Sequence, residues 1–225
     1  MFIIISCNNS VNKKDVISNS IIDSLSIKKN TYLVDTILVN NNLNFTISTT
    51  YVNNDLILLN SANGGHTTLL DTIHSNGLFC IKFIDFNNDK NSDVLIDYFG
   101  NNSTYFLYLF DKKTNTFKNI KDYLNFPDAI QLKSNPVYYY SYNRAGCADE
   151  NWESDLFQII NFSLIQLGHI DGHGCDSQDI KIYKIMNNDK EVLIEKKPYY
   201  TVIIDSIDKW EYLEKYWNKN YKKFK

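Results

Sequence analysis

Between residues 85 and 93 the chain reads Asp-Phe-Asn-Asn-Asp-Lys-Asn-Ser-Asp, with oxygen-bearing side chains at its first, third, fifth and ninth positions. A hard cation such as Ca2+ takes roughly six to eight oxygens at about 2.3–2.6 Å. Asp85, Asn87, Asp89 and Asp93 have the side chains for it, and the carbonyl of Asn91 adds a main-chain ligand. Three carboxylates offset the charge of the ion; without a cation they repel one another across a short loop. An EF-hand is excluded on context. Its twelfth position, where a bidentate Glu belongs, is Ile96, and the flanks Leu78 to Ile84 and Val94 to Phe99 read as strands. The alternative is an acidic hairpin loop that holds no ion.

Other chemistry is sparser. His169-Ile-Asp171-Gly-His173-Gly-Cys175-Asp176 gathers residue types that bind zinc, but Gly172 and Gly174 mark the stretch as a turn. Tyr138, Tyr140, Tyr142 and Arg144, the chain's one arginine, alternate in an expected strand and share one face. Tyr and Arg often anchor protein interfaces, so this face is the candidate partner-binding surface. The competing reading lines the core with the tyrosines and pairs Arg144 with Asp149 or Glu150. Nucleophile elbows, phosphate loops and the H-E-x-x-H pattern are absent. Scattered carboxylates such as Asp149, Glu150, Glu153 and Asp155 could pair as the two acids of a glycosidase.

Four cysteines are present and none forms a C-x-x-C pair. Cys7 follows Ile4-Ile5-Ser6, which resembles a bacterial lipoprotein box, and makes Cys7 the candidate lipidation site. The apolar stretch before it is shorter than usual and lacks a preceding Lys or Arg. The alternative is an apolar first strand with a buried Cys. Cys147 and Cys175 both sit in polar, glycine-containing loops, so a disulfide between them is expected in an oxidising compartment, worth roughly 3 kcal/mol on the loop-entropy account. Cys80 is then the odd one out.

The elements that must position these residues are strands. Ile, Val, Thr, Tyr and Phe recur in short runs, at 31–39, 43–52, 55–60, 67–73, 78–86, 93–99, 104–111, 137–144, 153–161, 163–170, 179–186, 191–196 and 199–204. Asn-rich and Gly-rich turns split them. The expected fold is all-β: an antiparallel multi-stranded sandwich or a small propeller-like assembly, closed by one helix over 206–220. Ser206 or Asp205 caps that helix, and Ile207, Trp210, Leu213 and Trp217 form its stripe. Residues 1–7 read as a signal remnant, 8–30 as a polar tether, and 31–225 as a single domain. No segment approaches the roughly 18 apolar residues of a membrane span, so membrane attachment is expected only through a lipid anchor. A net charge of −3, with no long basic run before the C-terminal tail, argues against a nucleic-acid partner.

The acidic loop between two strands resembles the calcium repeat of FG-GAP and VCBS-type proteins, D-x-[DN]-x-D-G-x-x-D. Asp85, Asn87, Asp89 and Asp93 match its ligand positions, and Lys90 stands where that family prefers Gly. The resemblance covers roughly residues 78–165. It extends to the strand and hairpin from Tyr105 to Phe117, which look like those of small periplasmic bacterial lipoproteins that inhibit lysozyme-like peptidoglycan hydrolases or serve as immunity proteins. The resemblance implies an exported, calcium-stabilised, non-enzymatic binding protein whose partner is such a hydrolase. Two other readings stay open: a glycan or peptidoglycan hydrolase using the loop carboxylates or His169 and His173, and a passive surface-assembly protein.

Overall fold

The computed structural model describes residues 4–7, 35–53, 55–76, 78–98, 100, 103–187, 189–203 and 208–225 (for 4–7, 35 and 79 the backbone alone). The tether at 8–30, the side chain of Cys7 and the cap at Asp205 or Ser206 lie outside what is described.

Three antiparallel sheets stack face to face, with one helix on the outside. The first sheet is a four-stranded meander of β2 (Asp35–Asn40), β3 (Leu43–Tyr51), β4 (Leu56–Asn63) and β5 (His66–His74). The second has the order β1-β6-β7-β8-β9, from β1 (Ile4–Cys7), β6 (Leu78–Ile84), β7 (Asp93–Tyr98), β8 (Thr104–Asp111) and β9 (Thr116–Asn119). The third has the order β10-β11-β13-β14-β15-β16. Its strands are β10 (Ile130–Gln131), β11 (Tyr138–Tyr140), β13 (Asn151–Ile160), β14 (Ser163–His173), β15 (Asp179–Ile185) and β16 (Glu191–Pro198), with β12 (Asn143–Gly146) also paired to β13. This is the sandwich-like arrangement, not a propeller.

The alternation of apolar residues sets which face goes where. In β3 and β4, Phe45, Ile47, Ile57 and Leu59 point to the second sheet and are buried, while the residues between them are partly exposed. That is the period-two pattern of a sheet covered on one side. The second sheet lies in the middle, and its strands β7 and β8 are buried almost without a break. Val94 and Ile96 face the first sheet, while Leu95, Leu107 and Leu109 face Tyr139 and Phe157 of the third. The other face of the third sheet, with Trp152, Leu156, Ile170, Ile180 and Ile182, packs against the helix α1 (Lys209–Asn220) through Leu213 and Trp217.

Some expected elements differ. The helix is capped by Asp208, whose side chain accepts the Glu211 N–H at 2.8 Å, so Asp208 does the work expected of Ser206 or Asp205. The strand expected at 199–204 is instead a single 3-10 turn at Tyr199–Thr201 that begins right after Pro198. It drops Tyr199 into the core, where its hydroxyl accepts the Trp152 indole N–H at 3.1 Å. The stretch around Gly172 is no turn: β14 runs on to His173. A Cβ on Gly172 would lie 2.3 Å from the Trp152 ring, so glycine is there to let the indole lie flat on the strand. Among the described residues no helix is long and apolar enough to cross a membrane.

Candidate functional site

The acidic loop sits where all three sheets meet. It leaves β6, turns, and re-enters the middle sheet at Asp93, which is fully buried. The Asp93 carboxylate accepts N–H bonds from Phe86 at 2.9 Å and from Phe110 of β8 at 2.8 Å. Asp85 accepts from the N–H groups of Asp89 and Lys90 at 2.9 and 3.0 Å, and Asp89 from Asn91 N–H at 2.8 Å. This folding of side chains onto the loop's own backbone is the Asx-turn habit of Asp and Asn. Two residues take left-handed backbone, Asn88 (φ +59°) and Lys90 (φ +71°). Lys90 thus adopts, at a cost, the conformation a glycine would take freely.

Neighbours clamp the loop from both outer sheets. The two-residue turn between β2 and β3 is built from Asn41 and Asn42, both at positive φ. Just before it, buried Asn40 exchanges two hydrogen bonds with the Ser92 backbone, at 2.8 and 2.7 Å. Asn41 N–H donates to the Asn91 side chain at 2.8 Å. From the third sheet, Tyr139 stacks on Phe86 with ring centroids 4.9 Å apart, and Gln131 bonds the Asn88 side chain.

The electrostatics of the loop are unbalanced. Burial pushes the Asp93 carboxyl up to about 7, only partly opposed by the Phe110 and Phe86 N–H groups, and repulsion from Asp89 and Asp85 adds to the rise. Among the described residues one ammonium approaches: Lys112 lies 3.6 Å from the Asp89 carboxylate and bonds the Asp89 carbonyl. The donor set of Asp85, Asn87, Asp89, Asn91 and Asp93 suits a hard cation in charge and in its all-oxygen chemistry. Among the described residues, however, no three His, Cys, Asp or Glu side chains already converge to hold a metal. The loop oxygens here serve backbone N–H groups.

A second polar cluster lies on the third sheet. The register of β13 and β14 sets Asp155 opposite His169, and Asp171 follows two residues later on the same face. One His169 ring nitrogen is 2.6 Å from Asp155 and the other 2.7 Å from Asp171. Burial lowers the pKa of His169, but the two carboxylates outweigh it and hold the ring as a cation up to about 10. Asp155 also accepts Gln166 at 2.7 Å, and its N–H donates to Ser141 Oγ at 3.0 Å. Both ring nitrogens are therefore committed. His173 stands 4.0 Å from Asp171, and Cys175 is bonded to Cys147, so the zinc-binding residue types gathered here do not assemble into a ligand set.

No family model matches the chain, and no curated protein matches it. A solved structure described as a Xanthomonas type IV secretion system related protein is similar over 67% of this chain and 89% of its own, with 16% sequence identity and a TM-score of 0.46.

Cys147 and Cys175 are joined by a disulfide with Cα atoms 6.4 Å apart. Tyr138, Tyr140 and Tyr142 do share a face, but it is the inner one, covered by α1 and the turn after it: Tyr138 meets Tyr221 at 4.9 Å between centroids, and Tyr142 meets Trp210 at 3.8 Å. They are core, and the proposed recognition surface loses them. Arg144 remains outside, with 62% of its side chain exposed, 3.7 Å from Asp149. It borders a cleft of about 200 Å³ shared with Asn143, Asp128, Ser103 and Trp210. The suggested acid pair does not form among the described contacts. Asp149 bonds Lys209 and Tyr142, while Asp155 bonds His169. Trp210, read from sequence as part of the helix stripe, instead borders the cleft and is partly exposed; the Asp155–His169 pairing was missed from sequence, and a strand register across β13 and β14 was the signal available for it.

Proposed function

We propose that this chain is an exported binding protein whose β-fold is stapled by calcium at Asp85–Asp93, and whose partner is a lysozyme-like peptidoglycan hydrolase that it inhibits. The observation that carries the calcium reading is the buried Asp93 carboxylate, burdened by Asp89 and Asp85 at the junction of three sheets. A cation held by Asp85, Asn87, Asp89, Asn91 and Asp93 would relieve that repulsion. Its role is structural: it would fix the loop against the Asn40 turn and Phe86 against Tyr139. The hydrolase partner follows from the family resemblance, and it docks, on this reading, at the cleft beside Arg144 and Trp210, where Arg and Trp are suited to anchor an interface.

A lipid anchor at Cys7 would place the domain at the periplasmic face of a membrane. Processing there removes Ile4–Ser6, three of the four residues of β1, and leaves β6 as the edge of the middle sheet. The reading is tested by co-purification with muramidases and by inhibition of peptidoglycan turnover. Arg144→Ala and Trp210→Ala should each weaken binding by tenfold or more. If neither changes it, the cleft is not the docking surface.

The competing hydrolase reading rests on Asp155, His169 and Asp171. An imidazolium that keeps its proton to about pH 10 accepts none near neutrality, which sets His169 apart from a general base. Peptidoglycan turnover by the chain alone, abolished by Asp155→Asn, would decide for it.

A further inference from the structure

Next to the Arg144 cleft the backbone runs left-handed for four residues in a row: Gly146 (φ +111°), Cys147 (+54°), Ala148 (+50°) and Asp149 (+76°). Three of the four carry a Cβ, and L-residues avoid this region because Cβ crowds the following carbonyl. A run like this persists only where its surroundings over-determine it. Two anchors do so. At one end Cys147 is bonded to Cys175, both being exposed. At the other, burial of the Asp149 carboxylate is outweighed by Lys209 and Tyr142, which hold it in its charged form below the usual range, and Lys209 also bonds the Asp149 carbonyl at 2.7 Å.

Asp149 reaches two residues of the cleft lining, Tyr142 and Arg144, and the neighbour of a third. It accepts the Tyr142 hydroxyl, lies 3.7 Å from Arg144, and holds Lys209, the residue before Trp210. Trp210 in turn lies tilted against the Tyr142 ring. We propose that the Cys147–Cys175 disulfide is a redox control on this cleft: the oxidised bridge holds the left-handed turn that presents Asp149, and reduction releases the turn and loosens Tyr142, Arg144 and Trp210 together. The reductant is an external dithiol. One of its thiolates attacks a sulfur of the bridge, the S–S bond breaks, and the departing cysteine takes a proton. The second thiol of the dithiol then displaces the other cysteine, and the dithiol ends as its own disulfide, having given up two electrons.

Only the consequence for partner binding rests on the docking surface proposed above; the coupling of bridge to cleft does not. Acrylamide quenching of tryptophan fluorescence reads it without a partner, since Trp152 and Trp217 are fully buried and Trp210 is 39% exposed. Dithiothreitol should raise the quenching constant about twofold, and Asp149→Asn should do the same with the bridge intact. The rise should vanish in Trp210→Phe. Unchanged quenching on reduction, or an equal rise in Trp210→Phe, would overturn the proposal. If quenching rises and muramidase binding is unaffected, the redox coupling stands and the docking surface is what fails.

Discussion

Two polar clusters of this molecule contain the same kinds of charge and resolve them in opposite ways. On the third sheet, Asp155 and Asp171 flank His169, and the cation that balances them is a side chain. Burial there raises Asp171, but His169 outweighs it and holds the carboxyl below its ordinary range. In the acidic loop, Asp85, Asp89 and Asp93 share the approach of Lys112 and a set of backbone N–H groups, and burial drives Asp93 up to about 7. The first cluster holds its own cation, shared between its two carboxylates. Among the described residues the second has only Lys112 at its edge, and that difference is the physical argument for proposing calcium at one and not the other.

The largest effect is expected at Asp93→Ala, which strips the carboxylate from one buried and one partly buried N–H group at the junction of the sheets. Each orphaned donor costs about 1–3 kcal/mol, so denaturant unfolding should show a loss of about 4 kcal/mol. A loss below about 1 kcal/mol would mean that the loop does not tie the sheets together.

His169→Gln comes next. The folded His169 is held up to about 10 against an ordinary 6.5, so its contribution is complete below about pH 6.5 and fades as pH rises through about 10. The variant should be less stable by about 3 kcal/mol at neutral pH, since it leaves Asp155 and Asp171 without their cation. Between pH 7 and 10 it should also lack the wild-type decline. A parallel decline in both proteins would show that His169 is not the closing charge.

Asn40→Ala should cost about 2 kcal/mol through its two bonds to Ser92 and should weaken any cation effect, whereas it should leave the His169 titration alone. The smallest effect is a gain. Lys90→Gly frees a left-handed residue and removes a positive charge, so stability should rise by up to about 1 kcal/mol with tighter calcium binding. Destabilisation by Lys90→Gly would imply that the lysine side chain contributes something the backbone argument omits.

The loop and most strands were legible because their signals are local. The run of turn-forming Asp and Asn between two strands at Asp85 to Asp93 and the alternation in β3 and β4 need only short windows. The burial of Tyr138, Tyr140 and Tyr142 was not, because it depends on a helix some 70 residues further along the chain. Strict alternation said that the three share a face and could not say which face. The unbroken apolar run of β8 did carry the sign of a sheet buried on both sides. The Asn40–Ser92 clamp and the left-handed run at Gly146–Asp149 left no trace in composition, since each exists only once distant segments are brought together.

Calcium-dependent stability tests the central claim most directly. The folded Asp93 carboxyl binds its proton more tightly than the unfolded one, so the calcium-free protein loses stability as pH rises from about 4 to 7, and a bound cation reverses that loss. Thermal unfolding at pH 8 should therefore show a rise of about 5–10 °C between EDTA and calcium at about a hundred times its Kd, corresponding to about 2.7 kcal/mol. The rise should be smaller at pH 5 and absent in Asp89→Ala. The same melting temperature with calcium and with EDTA in the wild-type protein at pH 8 would contradict the account.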